Sequence, residues 1–105
     1  MWYVKNGMIK ELDRDIKLLN KHFDIIRRQY RVKHLGIFGS VAKGTQTKKS
    51  DIDLLVEFSG PIGLFSFVRL ERELSEILGR KVDLVSKDGL KPIIRDSILE
   101  EVIYV

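Results

Sequence analysis

The chain has 105 residues, 44% hydrophobic and 32% charged, which is enough apolar mass for one small core and too much for a disordered polymer, so one domain over residues 1–105 is expected. Cysteine is absent, which excludes disulfides, thiolate metal sites and a thiol nucleophile, and leaves oxygen or histidine to hold any metal. The net charge of +4 conceals an asymmetry: residues 1–50 carry 12 basic and 4 acidic side chains and residues 51–105 carry 7 and 11, which points to an anionic partner for the first half and a cation or basic surface for the second.

Leu12, Ile16, Leu19, Phe23, Ile26 and Tyr30 recur at spacings of three and four, which predicts an amphipathic helix over about 9–31. Its other face is basic, with Lys17, Lys21, Arg27, Arg28 and Arg31. A short strand over 33–38 ends at Gly39-Ser40, and 43–50 is a wholly polar loop. A second strand covers 51–58. After a turn at 59–63, Leu64, Phe67, Val68, Leu74, Ile77 and Leu78 mark a second amphipathic helix closed by Gly79, with Arg69, Glu71, Arg72, Glu73 and Glu76 on its exposed face. A third strand over 81–85 and a turn at 87–90 follow. A last helix then runs from Pro92 to about Glu101, and the tail over 102–105 is helix end or short strand. This order describes an α/β (α+β) domain, a small mixed sheet of three to four strands packed with helices. No apolar run approaches the roughly 18 to 20 residues of a membrane span, so a cytoplasmic protein without a membrane partner is expected.

Strand alternation assigns the chemistry. In the second strand Ile52, Leu54, Val56 and Phe58 share the core face, while Asp51, Asp53, Leu55 and Glu57 share the other. Two adjacent carboxylates on one face repel each other when both ionise in a partly buried place, and a divalent cation relieves that. Oxygen ligands without a nearby histidine suit Mg²⁺, or Mn²⁺, rather than zinc. Asp13-Arg14-Asp15 has the same D-x-D spelling inside the first helix, where the two side chains point roughly 200° apart and cannot share a metal. Asp83 repeats the outward placement in the third strand. If strands two and three are neighbours, it completes a carboxylate triad able to hold metal for an in-line displacement. Gly39 permits close backbone approach, Ser40 offers a hydroxyl, and free N–H groups at such a turn favour an anion such as phosphate.

Gly39-Ser40, Lys43-Gly44 and Ser50-Asp51-Ile52-Asp53, with Val82-Asp83-Leu84 later, resemble the polymerase-beta-like nucleotidyltransferase superfamily, and within it the minimal nucleotidyltransferase (MNT, MntA-type) family. The likeness in layout covers about residues 10–105. One departure is Lys43, where many members have Arg; the charge survives but bidentate phosphate recognition does not. The resemblance implies that Asp51, Asp53 and Asp83 are catalytic and hold the metal, with Asp83 assisting deprotonation of the attacking hydroxyl. It also implies that Gly39, Ser40, Lys43, Gly44 and Ser50 bind the nucleotide, Gly39 and Ser40 at the β and γ phosphates. The reaction implied is transfer of a nucleoside monophosphate, AMP from ATP, onto a hydroxyl with release of pyrophosphate.

So small a chain has little surface left for an acceptor domain, so another molecule must bring the hydroxyl. The resemblance implies a HEPN-type RNase toxin whose tyrosine is adenylylated, with this chain the antitoxin of a type VII-like toxin–antitoxin pair, working as a hetero-oligomer. Two other readings stand beside it. One is an antitoxin that acts by binding alone, without turnover. The other is nucleotidyl transfer onto RNA ends tracked by the basic helix face, against which counts the lack of a row of exposed aromatics for base stacking. His22 and His34 lie on different elements and are read as non-catalytic, Trp2, Tyr3 and Val4 as packing residues, and Tyr104 as core or interface.

Overall fold

The computed structural model describes residues 6–39, 42 and 51–105. In chain order the elements are α1 (Asn6–Tyr30), β1 (Val32–Phe38), β2 (Ile52–Phe58), α2 (Leu64–Leu78), β3 (Val82–Ser86), a 3-10 turn (Lys87–Gly89), α3 (Pro92–Glu101) and β4 (Ile103–Tyr104). Trp2, Tyr3 and Val4 and the loop 43–50 lie outside the described residues.

The stripe expected on α1 is the one that packs. Leu19, Ile26 and Tyr30 are buried, with Leu12, Ile16 and Phe23 against them, while Lys17, Lys21, Arg27, Arg28 and Arg31 face outward. The helix ends because Arg31 turns left-handed, with φ 56°, a conformation that closes helices and is uncommon outside glycine. The Arg31 carbonyl then accepts the Ser59 N–H at 2.8 Å and the Ser59 hydroxyl at 3.2 Å, which fastens the start of β1 to the end of β2.

The sheet has the order β3-β2-β1-β4. β1 runs antiparallel to β2 with Phe38 opposite Asp53, and β2 runs parallel to β3 with Asp53 opposite Asp83. A parallel pair requires a crossover, and α2 supplies it. α2 stops where expected, at Gly79, whose φ of 72° lets its N–H donate to the Ser75 carbonyl at 2.9 Å. The tail resolves as a strand, with Ile103 and Tyr104 pairing with Ile37 and Gly36 of β1. α1 and α2 pack on each other and on β1 and β3, enclosing Leu35, Ile37, Ile52, Leu54, Val56, Val82 and Leu84. Alternation therefore turns Asp53, Leu55 and Glu57, with Asp83 and Val85, to the other face.

Leu55 lies on the carboxylate face as expected and is buried as deeply as the core residues, so that face is covered in part. Two details depart from the sequence expectations. On α2 the buried stripe is Leu70, Leu74 and Leu78 flanked by Phe67 and Ile77, whereas Leu64 is 75% exposed and Val68 45%. At 100° per residue, Val68 stands about 120° around the axis from Leu74, too far to join the stripe. Glu71 belongs to packing rather than solvent: its Oε2 accepts the Leu84 N–H at 2.9 Å, and Ser75 Oγ accepts the Val82 N–H at 3.1 Å while donating to the Glu71 carbonyl at 2.9 Å.

One ion cluster ties α1 to the α2–β3 joint. The Arg80 guanidinium donates to Glu11 Oε1 at 2.7 Å and Asp15 Oδ2 at 2.8 Å, and Arg14 stands 3.7 Å from Asp15 Oδ1. Asp15 has no solvent exposure, and burial pushes its carboxyl above the ordinary value against the pull of Arg80 and Arg14. Asp13, two residues away, is exposed and pairs with Lys17 at 3.0 Å. The helical D-x-D thus divides between a surface pair and a buried clamp, as its angular spacing requires.

Candidate active site

The site forms where three strand ends meet on the face away from α1 and α2. Parallel register puts Asp53 and Asp83 side by side on neighbouring strands with the same pleat. Asp51 lies just before β2. Because the Ile52 N–H donates to the Lys81 carbonyl at 3.0 Å, Asp51 falls next to Lys81, whose Nζ lies 3.8 Å from Asp51 Oδ2. Both side chains of that pair are well exposed, so their attraction is modest. Asp53 is the half-buried member. Burial raises its carboxyl above the ordinary value, and the nearby charges of Asp83, Asp51 and Glu101 raise it further.

Gly39 closes the site from β1. Its φ of 75° is left-handed, and a β-carbon built on it would collide with Asp53 Oδ2, so two separate constraints require glycine here. Its N–H donates to Glu101 Oε1, 3.2 Å away at the end of α3. Gly39→Ala therefore drives a methyl group into the Asp53 carboxylate while straining the backbone. The expected outcome is a loss of at least about 1 kcal/mol in unfolding free energy, read by denaturant titration. Nearby, Ala42 packs on the core.

The structure thus brings together Gly39, Asp51, Asp53 and Asp83 of the residues singled out in the sequence, while Ser40, Lys43, Gly44 and Ser50 lie outside the described residues. Sequence reasoning missed Lys81 and Glu101. Lys81 was within reach, since an in-register parallel pairing of strands two and three places it opposite Asp51. Glu101 gave no signal, because it meets Gly39 only through the path of α3, 62 residues along the chain. The neighbouring His34 forms an edge-to-face pair with Tyr104, ring centroids 5.8 Å apart, and Lys87 lies 3.5 Å from Glu57 further along the same face.

Carboxylates crowded around a half-buried Asp53 are the donor chemistry of a hard divalent cation, and Lys81, which pairs with Asp51, is itself well exposed. Among the described residues no group of three or more acidic, histidine or cysteine side chains is arranged to hold a metal ion by itself. Mg²⁺ does not need such a cage: it commonly takes one or two carboxylates and completes its shell with phosphate oxygens and water. The residues fit such an ion.

Residues 19–105 match the family described as nucleotidyltransferase domain. The chain belongs to the nucleotidyltransferase family. A curated relative from Methanocaldococcus jannaschii, provisionally named a protein adenylyltransferase, is 51% identical over 89 residues, 84% of this chain and 91% of the relative. The protein adenylyltransferase MntA of Thermococcus cleftensis is 40% identical over 88 residues, 84% of this chain and 89% of that one. A solved structure described provisionally as a minimal nucleotidyltransferase superposes with TM-score 0.66 at 32% identity, over 94% of this chain and 93% of the other. The same fold recurs at 18% identity and TM-score 0.58, over 92% and 70% of the two chains, in a complex of a tri-AMPylated HEPN toxin of Shewanella oneidensis with its MNT antitoxin. The chain is accordingly a minimal nucleotidyltransferase with the polymerase-beta-like fold, and an enzyme. Among the described residues no helix is long and apolar enough to cross a membrane.

Proposed function

We propose that this nucleotidyltransferase moves AMP from ATP onto a tyrosine hydroxyl of a HEPN-type RNase toxin, in the cytoplasm and in complex with that toxin, and so acts as its antitoxin. It would do so as a single catalytic domain. The observation that carries the reading is the Asp53–Asp83 cross-strand pair with Gly39 pressed against it, in a chain whose relatives bear the name protein adenylyltransferase.

Asp51 and Asp53 would hold Mg²⁺ (or Mn²⁺), with Asp83 beside them, and the ion when bound neutralises charge on the triphosphate. Gly39 and Ser40 shape the turn that meets the β and γ phosphates, and Lys43, Gly44 and Ser50 complete the nucleotide contacts. The acceptor oxygen forms a bond to the α-phosphorus, the bond from that phosphorus to the bridging oxygen of pyrophosphate breaks, and the hydroxyl proton passes to Asp83. With so little covalent work for the protein, its contribution is positioning and electrostatic stabilisation.

The deciding assay supplies ATP labelled at the α-phosphate, Mg²⁺, this chain and its toxin. Label on the toxin, lost when the candidate tyrosine is changed to Phe, is the expected outcome. A stable complex that never acquires label would favour an antitoxin acting by binding alone. Label appearing instead on added RNA would favour RNA-end transfer, which the exposed basic residues of α1 keep in contention.

A further inference from the structure

We propose that Glu101 is a positioning residue for the nucleotide: its carboxylate accepts the Gly39 N–H and fixes the turn that meets the triphosphate. The proposal rests on the nucleotidyl-transfer reading above and assigns a task to a residue outside the acidic triad of that reading.

The geometry has three parts. Glu101 Oε1 lies 3.2 Å from the Gly39 nitrogen. The Asp53 carboxylate packs on Gly39 so tightly that no β-carbon fits. Gly39 is thus held by two carboxylates, by a hydrogen bond to one and by contact with the other, at the point where the chain leaves β1 in a left-handed turn.

The third part is what holds Glu101 in place. Two residues beyond it β4 begins, and Ile103 and Tyr104 pair with Ile37 and Gly36 of β1, the strand that ends just before Gly39. Gly36 keeps that joint close: a β-carbon there would stand 2.5 Å from Val102 Cγ2 and 3.1 Å from the Ile103 carbonyl oxygen. The β1–β4 pairing therefore sets the height of Glu101 against Gly39, so the C-terminal strand locates the nucleotide turn through a single side chain. In this arrangement Gly39 contributes its turn and its missing side chain, while its own N–H is committed to Glu101.

The test compares wild type, Glu101→Gln and Glu101→Ala by calorimetric binding of a non-hydrolysable ATP analogue with Mg²⁺, by KM and kcat for label transfer, and by thermal unfolding. A hydrogen bond that orders the turn corresponds to about a tenfold effect. Glu101→Ala is expected to weaken analogue binding and raise KM for ATP about tenfold with kcat changed less than about twofold. Glu101→Gln, which keeps an oxygen acceptor, is expected to recover most of that loss. Analogue binding by Glu101→Ala as tight as wild type or tighter would overturn the proposal alone. So would a Gln variant as weak as the Ala variant, since the charge rather than the acceptor would then matter. A wild-type chain that binds no nucleotide at all would overturn the nucleotidyl-transfer reading, and this one with it.

Discussion

Asp53→Asn is expected to lower nucleotidyl transfer by about a hundred- to a thousandfold while raising Tm above that of wild type. The activity loss follows from removing the charge at the centre of the site, a change that in preorganised electrostatic sites costs about that much in rate. The gain in stability has a separate cause. Asp53 is half-buried, its ionisation is opposed by burial and then by Asp83, Asp51 and Glu101, and its carboxyl is raised above the ordinary value. A carboxyl raised in the folded state makes the ionised form a burden on folding at neutral pH, and the neutral amide removes it. Loss of activity with loss of stability would instead mean that Asp53 supports the sheet. Measuring label transfer and thermal unfolding on the same preparation separates these outcomes.

Arg80→Met is expected to cost roughly 3 to 5 kcal/mol in unfolding free energy, a large share of the roughly 5 to 15 kcal/mol that holds a domain together. The methionine keeps the apolar stem but abandons Glu11 and a fully buried Asp15. Adding Asp15→Leu is expected to restore most of the loss, because the expense lies in the orphaned carboxylate rather than in the missing pair. The pH dependence carries a sign that identifies the cause. Burial already holds the Asp15 carboxyl above its ordinary 3.8, with Arg80 pulling it down, so without Arg80 it rises further. Protonation then favours the folded state: the Arg80→Met variant should regain stability as pH falls through the folded-state pKa, the gain being complete below about 3.8. A denaturant titration repeated across that window checks it, and a variant that weakens steadily on acidification would contradict it.

Much of this architecture was legible because local signals agreed with one another. The α1 stripe, Gly79 as a left-handed stop and Pro92 at a helix start each follow from backbone or periodicity rules that tertiary packing did not override. Asp51, Asp53 and Asp83 could be placed because strand alternation is strict and β2 and β3 pair in register, whereas the D-x-D of α1 could be dismissed on angular grounds. Leu64 and Val68 misled because an apolar residue on a helix does not declare which side of the stripe it occupies, and Leu70 supplies the packing instead. The burial of Leu55 was not legible for the converse reason: alternation gives the face of a side chain but not what covers that face. Glu101 was beyond reach, since its partnership with Gly39 depends on how a helix and a two-residue strand route the chain back to β1.

The outer margin of β3 has a bearing on how this protein can meet other chains. The backbone amides of Val82 and Leu84, which a docking strand would seek, are already satisfied by Ser75 and Glu71 of α2. With those two donors occupied from within, the margin is a poorer template for lengthening the sheet, whether by a partner or by a second copy in an aggregate. The same two bonds brace β3 in the alignment that keeps Asp83 level with Asp53.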